Sequence, residues 1–509
     1  MKDPRKKHPF AFKRKQHPES QAQPTLDSSQ MKAPLSSSSQ EIMNEVKRIL
    51  TTDDLACFPL QEDLCCIYLD TMLDMTRYEQ EIVTRLNLWL KEPEQWKRIY
   101  PQAKSPQDMA QLIHALLDGH VVLMTQRTDT AIVIAIPLSD LPKRAISEPK
   151  IEKFILGPKD SFVEDLNTNI ALLRHRNRDP NLVIHYFEVG ERSKTRVGLI
   201  YVKDICKPEW VEEIETNIKK INIEAVTVQK DLMELIIGRN NTPFPLYELS
   251  EIPARTSKNL TDGRIAIAIE GSPFMAFLPT VMNSMLIGSE YVFQGSIIPT
   301  FVRMLKYFAI VLSLYASSVY LALVTVNTTV LPTEFGLSIA RDQAHIPYGP
   351  FFEVFIFMVI LDLFVEGTSF VPGTIGPAIN VFGSLVIGQA AAQAGLTSRV
   401  MIIVTALTVI GSYFASYQIS FAFRIWKYPL IVGSALLGFY GITLVTVVLV
   451  MHLSALKSLG VPYLSAFAPN QPRDYALLGF FERDKSKQKK RMSNYEPQDH
   501  FRQKGDPDS

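Results

Sequence analysis

LKYFAIVLSLYASSVYLALVTV, residues Leu305–Val326, holds a single charged side chain, Lys306, at its edge. About 20 apolar residues in a helix cross the ~30 Å hydrocarbon core of a bilayer, so this run alone points part of the chain into a membrane. Three more runs of comparable length follow at Pro372–Gly395, Val400–Phe423 and Tyr428–Met451. The interior of a soluble protein does not repeat such a run so often in succession. A fifth, Phe351–Val365, is shorter and carries Glu353 and Asp362, with Glu366 just beyond. It reads as a tilted span packed inside the bundle or as a re-entrant helix.

Outside these runs the character changes. The chain has 509 residues, 47% hydrophobic and 21% charged, with a formal net charge of +1. Those totals suggest neither a disordered chain nor a nucleic-acid binder, and the length leaves room for several folding units. Charges crowd the part before Arg303 and the tail after Pro472, so a soluble half is joined to a membrane half. Residues 1–40 are basic, polar and low in apolar content, with a run of serines at Ser36–Ser39, and bury too little to order themselves. Their lysines and arginines are also placed to touch anionic membrane lipids. No apolar core precedes Gln40, so a secretory signal peptide is not expected.

Residues 41–149 and 150–300 each mix helical and strand periodicity. In the first, Met43, Val46, Ile49 and Leu50 share helical spacing, as do Ile82, Leu86 and Leu90, while Val121–Met124 and Ile132–Ile136 are short β-branched runs. In the second, helices are expected at Asp160–Arg174 and Glu209–Ile221, the latter with Pro208 just ahead, and strands at Leu182–Val189 and Val197–Val202. Asp118-Gly119 and Asp262-Gly263 each lead into a strand, an internal echo open to a reading as duplication. The expected fold is an α/β cytoplasmic N-terminal region of two subdomains, an α-helical polytopic membrane domain over 301–453 with four to five hydrophobic helices, and a cytoplasmic basic tail over 454–509.

Orientation follows from flanking charge. Arg303 and Lys306, Arg424 and Lys427, and the basic stretch Arg483–Arg491 belong on the cytoplasmic side, which favours an even number of crossings. Arg424 and Lys427 are expected between two spans. Arg399 then sits at an external turn, which the rule tolerates.

Catalytic signatures are absent from the sequence. Ser193-Lys194-Thr195 lacks the preceding glycines of a phosphate-binding loop and reads as a basic hairpin turn, with anion binding as the alternative. The histidines form no H-E-x-x-H pair, and the four cysteines form no C-x-x-C spacing, so no metal, cofactor or redox chemistry is expected. Cys65 and Cys66 point to opposite faces of a strand. No enzyme is expected.

The chemically informative segment is Gly373–Gly395. Gly383, Ser384 and Gly388 let helices approach closely, whereas Asn380, Gln389 and Gln393 bring amides into an apolar stretch. Amides in hydrocarbon need a protein partner or water, so these residues are pore-lining candidates against the plainer reading of small-residue packing. Val381, Leu385 and Val386 are candidates for an apolar constriction that gates by dewetting. The acids Glu353, Asp362 and Glu366 have three readings: cation attraction at a pore mouth, pairing between subunits, or placement at the membrane surface.

Several separated pieces resemble the A-subunit family of GerA-type spore germinant receptors. They include Gly157–Phe162, Asn167–Arg174, Arg178-Asp179-Pro180, Gly190–Thr195, Thr242-Pro243-Phe244-Pro245, Asp262-Gly263-Arg264, Gly271–Phe274, Leu385–Ala391, His452-Leu453 and Gly460–Leu464, in the family's order. Departures occur at Asn327-Thr328-Thr329, at Glu366-Gly367-Thr368 and near Ser416-Tyr417. The resemblance implies a multi-pass protein of the endospore inner membrane with its N-terminal region in the cytoplasm. It further implies homo-oligomerisation around an ion-conducting pore, a transporter-like B-type subunit that binds nutrient, and a C-type lipoprotein partner. A secondary transporter and a non-conducting scaffold are the alternatives. A transporter would need paired repeats with broken helices, and one Gly-rich segment is seen.

Overall fold

The computed structural model describes residues 34–36, 38–61, 64–84, 100–127, 130–139, 158–238, 240–286, 297–369, 376–414, 417–465, 467, 491 and 495–501. The basic arm up to residue 33, Leu86, Leu90 and the stretch 483–490 lie outside them.

Two antiparallel sheets build the N-terminal half. In the first, helix α1 (Ser39–Ile49) is followed by strands β1 (Leu55–Gln61) and β2 (Leu64–Leu69), helix α2 (Met109–Leu117), then β3 (His120–Arg127) and β4 (Thr130–Pro137), in the order β1-β2-β3-β4. Ile42, Val46, Leu112 and Leu116 pack on Val122 and Met124 of β3. Val121 and Leu123 face the other way, against Tyr78 and Ile82. Both faces are covered, which is why these strands read as continuous apolar runs and not as alternating ones.

The second sheet begins with α3 (Leu166–Arg176), β5 (Leu182–Val189) and β6 (Thr195–Val202). Helices α4 (Pro208–Lys219) and α5 (Gln229–Ile237), strand β7 (Glu248–Ser250), helix α6 (Pro253–Thr261), and strands β8 (Ile265–Ile269) and β9 (Met275–Leu278) complete it. The strand order is β5-β6-β8-β9-β7. Trp210, Ile214, Leu232 and Met233 cover one face, while Phe162, Leu166, Ile170 and Leu260 cover the other.

The two Asp-Gly turns occupy matching places. Asp118 caps α2 and Gly119 turns into β3, and Asp262 caps α6 and Gly263 turns into β8. Both glycines have positive φ, +77° and +92°, a region that side chains with a Cβ rarely adopt. Each following strand pairs back with the second strand of a hairpin and then forward with the next strand. The two sheets are tied by Arg174 of α3, which donates to both Asp54 carboxylate oxygens at 2.7 and 3.1 Å, both side chains fully buried. Burial raises the Asp54 carboxyl, but the Arg174 guanidinium and the Thr52 and Thr71 hydroxyls outweigh it and hold the group below its usual range. At the β5–β6 hairpin the Ser193 and Thr195 hydroxyls bond locally and to Val226 O, the arrangement of a structural turn.

A short helix α7 (Met282–Leu286) precedes the apolar half: α8 (Ile297–Thr325), α9 (Thr333–Gln343), α10 (Pro350–Ser369), α11 (Gly376–Gln393), α12 (Arg399–Ser412), α13 (Tyr417–Leu437) and α14 (Phe439–Ala455). Among the described residues one helix, Thr300–Thr325, is long and apolar enough to cross a membrane by length and composition. Helices α8 and α10–α14 run alternately away from the sheets and back. α8 leaves beside Asn283, bonded to Tyr307, and ends near Asn327, whose side-chain Oδ1 accepts from Phe439 N at the far turn. α12 starts there, with Tyr320 on Ser398, and returns to bring Gly411 against Ala309. α10 also returns, from Glu353 beside Ser398 to Asp362 beside Arg424, and α11 leads outward again past Phe364. α13 and α14 form a hairpin that closes at Gly438 and brings His452 back to Thr242, 2.9 Å away. The end of α14 is thus on the side of the sheets, as an even number of passes requires. A small hairpin, β10 (Lys457–Ser458) with β11 (Val461–Pro462), follows.

Three expectations are corrected. The run Val400–Phe423 is divided between α12 and α13, the run Tyr428–Met451 is divided at Gly438 between α13 and α14, and Arg424 and Lys427 lie within α13 and not between spans. A paired charge does not end a helix. Both cations pair with Asp362, and Arg424 also with Glu366, partners that no reading of local apolarity reveals.

Candidate functional site

Helix α11 lies against α10 on one flank and α12 on the other because glycines face both. A Cβ at Gly383 would collide with the Phe364 ring, and one at Gly388 would come within 3.2 Å of Ile402 Cγ2. On the opposite side Phe382 is 68% exposed and Val386 63% exposed, and Gln389 and Gln393 are exposed with them. The spacing of four, three and four residues keeps these side chains on one stripe of the helix. Asn380, Val381, Ser384 and Leu385 belong to α11 by their backbone, and their side chains lie outside the described residues. Phe382 was missed by the sequence reading. Its place in the four-three-four spacing with Val386, Gln389 and Gln393 is the signal that could have found it.

The three acids find partners within the chain. Glu353 is fully buried and accepts from Ser398 N at 2.6 Å, Gln343 Nε2 at 2.9 Å and Thr397 Oγ1 at 3.0 Å, closing the far end of α12. Asp362 accepts from Lys427 Nζ through both oxygens at 3.1 Å, from Arg424 Nε at 3.3 Å and from the Tyr428 hydroxyl. Glu366 stands 3.5 Å from Arg424. With Ser313, Thr408 and Ser412, the Asp362 cluster lines a cleft between four helices.

Motif pieces distant in sequence converge where the sheets meet the helices. Phe244 lies 5.8 Å from the Phe423 ring and 6.2 Å from that of Tyr463, which is fully buried. Ser458 Oγ donates to Leu246 O, and Gln418 at the start of α13 accepts from Leu249 N. At the centre Glu248 of β7, buried, receives Arg264 Nη1 at 2.8 Å, Ser284 Oγ at 2.9 Å and the Arg255 guanidinium. Burial pushes its carboxyl up, but the two guanidinium groups pull it down to about 2. The joint ties the start of α13 and the hairpin after α14 to β7 and the segment before it. Of its residues the sequence reading quoted Phe244, Arg264 and Tyr463 only as pieces of a resemblance.

A family model described as the Bacillus/Clostridium GerA spore germination protein matches residues 38–494. Spore germination protein B1 of Bacillus subtilis (strain 168) is 34% identical over 332 residues, covering 65% of this chain and 69% of its own. Spore germination protein A1 of the same organism is 30% identical over 359 residues, 70% and 73% of the two chains. Spore germination protein GerQA of Bacillus cereus is 28% identical over 450 residues, 86% and 88%. Among solved structures, the N-terminal domain of the A subunit of the Bacillus megaterium spore germinant receptor GerK3 aligns at 21% identity and a TM-score of 0.37, covering 48% of this chain and 96% of that one. The chain belongs to the GerA spore germination protein family, among its A-type members.

Proposed function

We propose that this chain is the A-type subunit of a nutrient germinant receptor whose copies assemble with the exposed face of α11 turned towards a shared ion path. Helices α8 and α10–α14 cross the spore inner membrane, with the sheets and the chain's tail in the cytoplasm. The observation that carries this reading is the stripe of Phe382, Val386, Gln389 and Gln393, uncovered in the single chain. Lipid cannot satisfy two neighbouring amides, whereas a water-filled path or a second copy can. Val386, with Val381 and Leu385, supplies apolar groups for a constriction that excludes water when narrow. The acids serve the bundle instead: Asp362 and Glu353 hold α10 to α13 and α12. A transporter-like B-type partner that binds the nutrient and a C-type lipoprotein complete the assembly by family resemblance.

Single-channel recording of the purified assembly in planar bilayers tests the reading. Cation currents that Val386→Ser increases support it. An assembly that forms, responds to nutrient in the spore and yet passes no current is a non-conducting scaffold.

A further inference from the structure

The strongest unexplained feature is the segment Tyr495–Phe501, which returns to the second sheet although the family match ends at residue 494. Tyr495 is buried as part of the core cluster that also holds Trp210, Ile214 and Ile265, with its ring 5.5 Å from the Arg264 guanidinium. Glu496 pairs with Lys207. Pro497 packs where Gly263 has no side chain, 3.4 Å from the place a Cβ would take. Gln498 donates twice to backbone, from N to Ile205 O at 2.9 Å and from Nε2 to Cys206 O at 2.7 Å. Arg491 anchors the approach by donating to Thr261 O at 2.8 Å and pairing with Asp499 at 2.6 Å.

We propose that Tyr495–Phe501 is a detachable strap, and that the groove formed by Ile205, Cys206, Lys207, Gly263 and Arg264 is a binding site for a linear Tyr-Glu-Pro-Gln peptide, here the chain's own. Each residue of the peptide meets a distinct feature of the groove, an aromatic face on a guanidinium, a carboxylate on an ammonium, a proline on a glycine and an amide on two carbonyls. That is sequence-selective recognition, as in other grooves that read extended peptides by side-chain pockets and backbone bonds. Reversibility is supported by the backbone. Glu496 is held at φ +38°, a conformation an ordinary side chain rarely adopts, so the docked form is maintained by its contacts and not by local preference. The strap acts on the joint because Arg264 serves both: the guanidinium under Tyr495 also holds Glu248 of β7 and Pro279 O. Docking stiffens the joint between the sheets and α13, and release loosens it, whether or not the helices conduct ions.

The test uses the full protein in lipid nanodiscs, a version ended after Asn494, and a synthetic peptide of the sequence Arg491–Phe501. Hydrogen exchange of β7 and β8 is expected to rise at least about tenfold on truncation. Added peptide should restore protection, and the same peptide carrying Tyr495→Ala should not. Unchanged exchange, or a folded truncated protein that ignores the peptide, overturns the proposal. Should truncation unfold the chain, Lys207→Cys with Glu496→Cys in a background without other cysteines decides it. Joining the two thiols with a short bis-maleimide linker should slow exchange of β7 and β8 about tenfold against the unjoined form, and no change once the link has formed means the segment never leaves, which also overturns it.

Discussion

Lys427 of α13 reaches both carboxylate oxygens of Asp362 on α10 at 3.1 Å, the sole pairing by which a nearly buried ammonium in this bundle is neutralised among the described residues. Breaking such a pair leaves a charge that the bundle cannot solvate, at a cost of about 3–5 kcal/mol. Asp362→Asn is therefore expected to lower the thermal stability of the detergent-purified protein markedly and to separate α10 from α13. Glu366→Gln, at a half-exposed acid 3.5 Å from Arg424, should change it little. Thermal unfolding followed by size-exclusion profile compares the two.

The two faces of α11 predict different phenotypes. Gly388→Leu pushes on Ile402 and should move α11 off α12, with loss of assembly or response while the sheets stay folded. Val386→Ser adds a hydroxyl to an exposed apolar position, so spores should leak ions or germinate without nutrient at normal protein levels. If Val386→Ser gives only silent or missing receptors, α11 is a packing element and the ion path lies elsewhere.

Acid should loosen the joint. Glu248 has its folded pKa lowered from 4.5 to about 2, so its contribution is fully present above about 4.5 and is lost as pH falls towards about 2. A shift of that size corresponds to roughly 3 kcal/mol as an order of magnitude. Asp54, also lowered, works in the same direction. Protection of β7 amides, taken relative to the intrinsic exchange rate at each pH, should fall across this window in the wild type. With Glu248→Gln the joint should be weak at neutral pH and show a flatter pH dependence.

The proposed topology is tested at two exposed positions. Ser338 on α9 is exposed at the far end and Lys457 is exposed at the sheet end. In a background cleared of Cys57, Cys65, Cys66 and Cys206, Ser338→Cys should react with an impermeant thiol reagent added from outside, and Lys457→Cys should resist it. Labelling of Lys457→Cys in sealed vesicles of known orientation would remove the six-crossing arrangement.

Local periodicity determined much of this protein. β5 begins and ends where its apolar run does, Pro208 opens α4 as the fixed φ of proline allows, and both Asp-Gly turns lead into strands because glycine alone takes their positive φ freely. Apolar length likewise announced the helices, since burial of a whole segment is written in consecutive residues. Their division was not legible: Arg424 and Lys427 look like a loop until Asp362, more than sixty positions earlier, is placed beside them. The same holds for Glu248 with Arg264, for Arg174 with Asp54, and for Tyr495 over Arg264, whose partners are separated by 16, 120 and 231 positions. A charge or a tyrosine in sequence states only what it can pair with. Which partner it meets depends on how the sheets and helices stack, and burial in that stack is what turns an optional contact into an obligatory one.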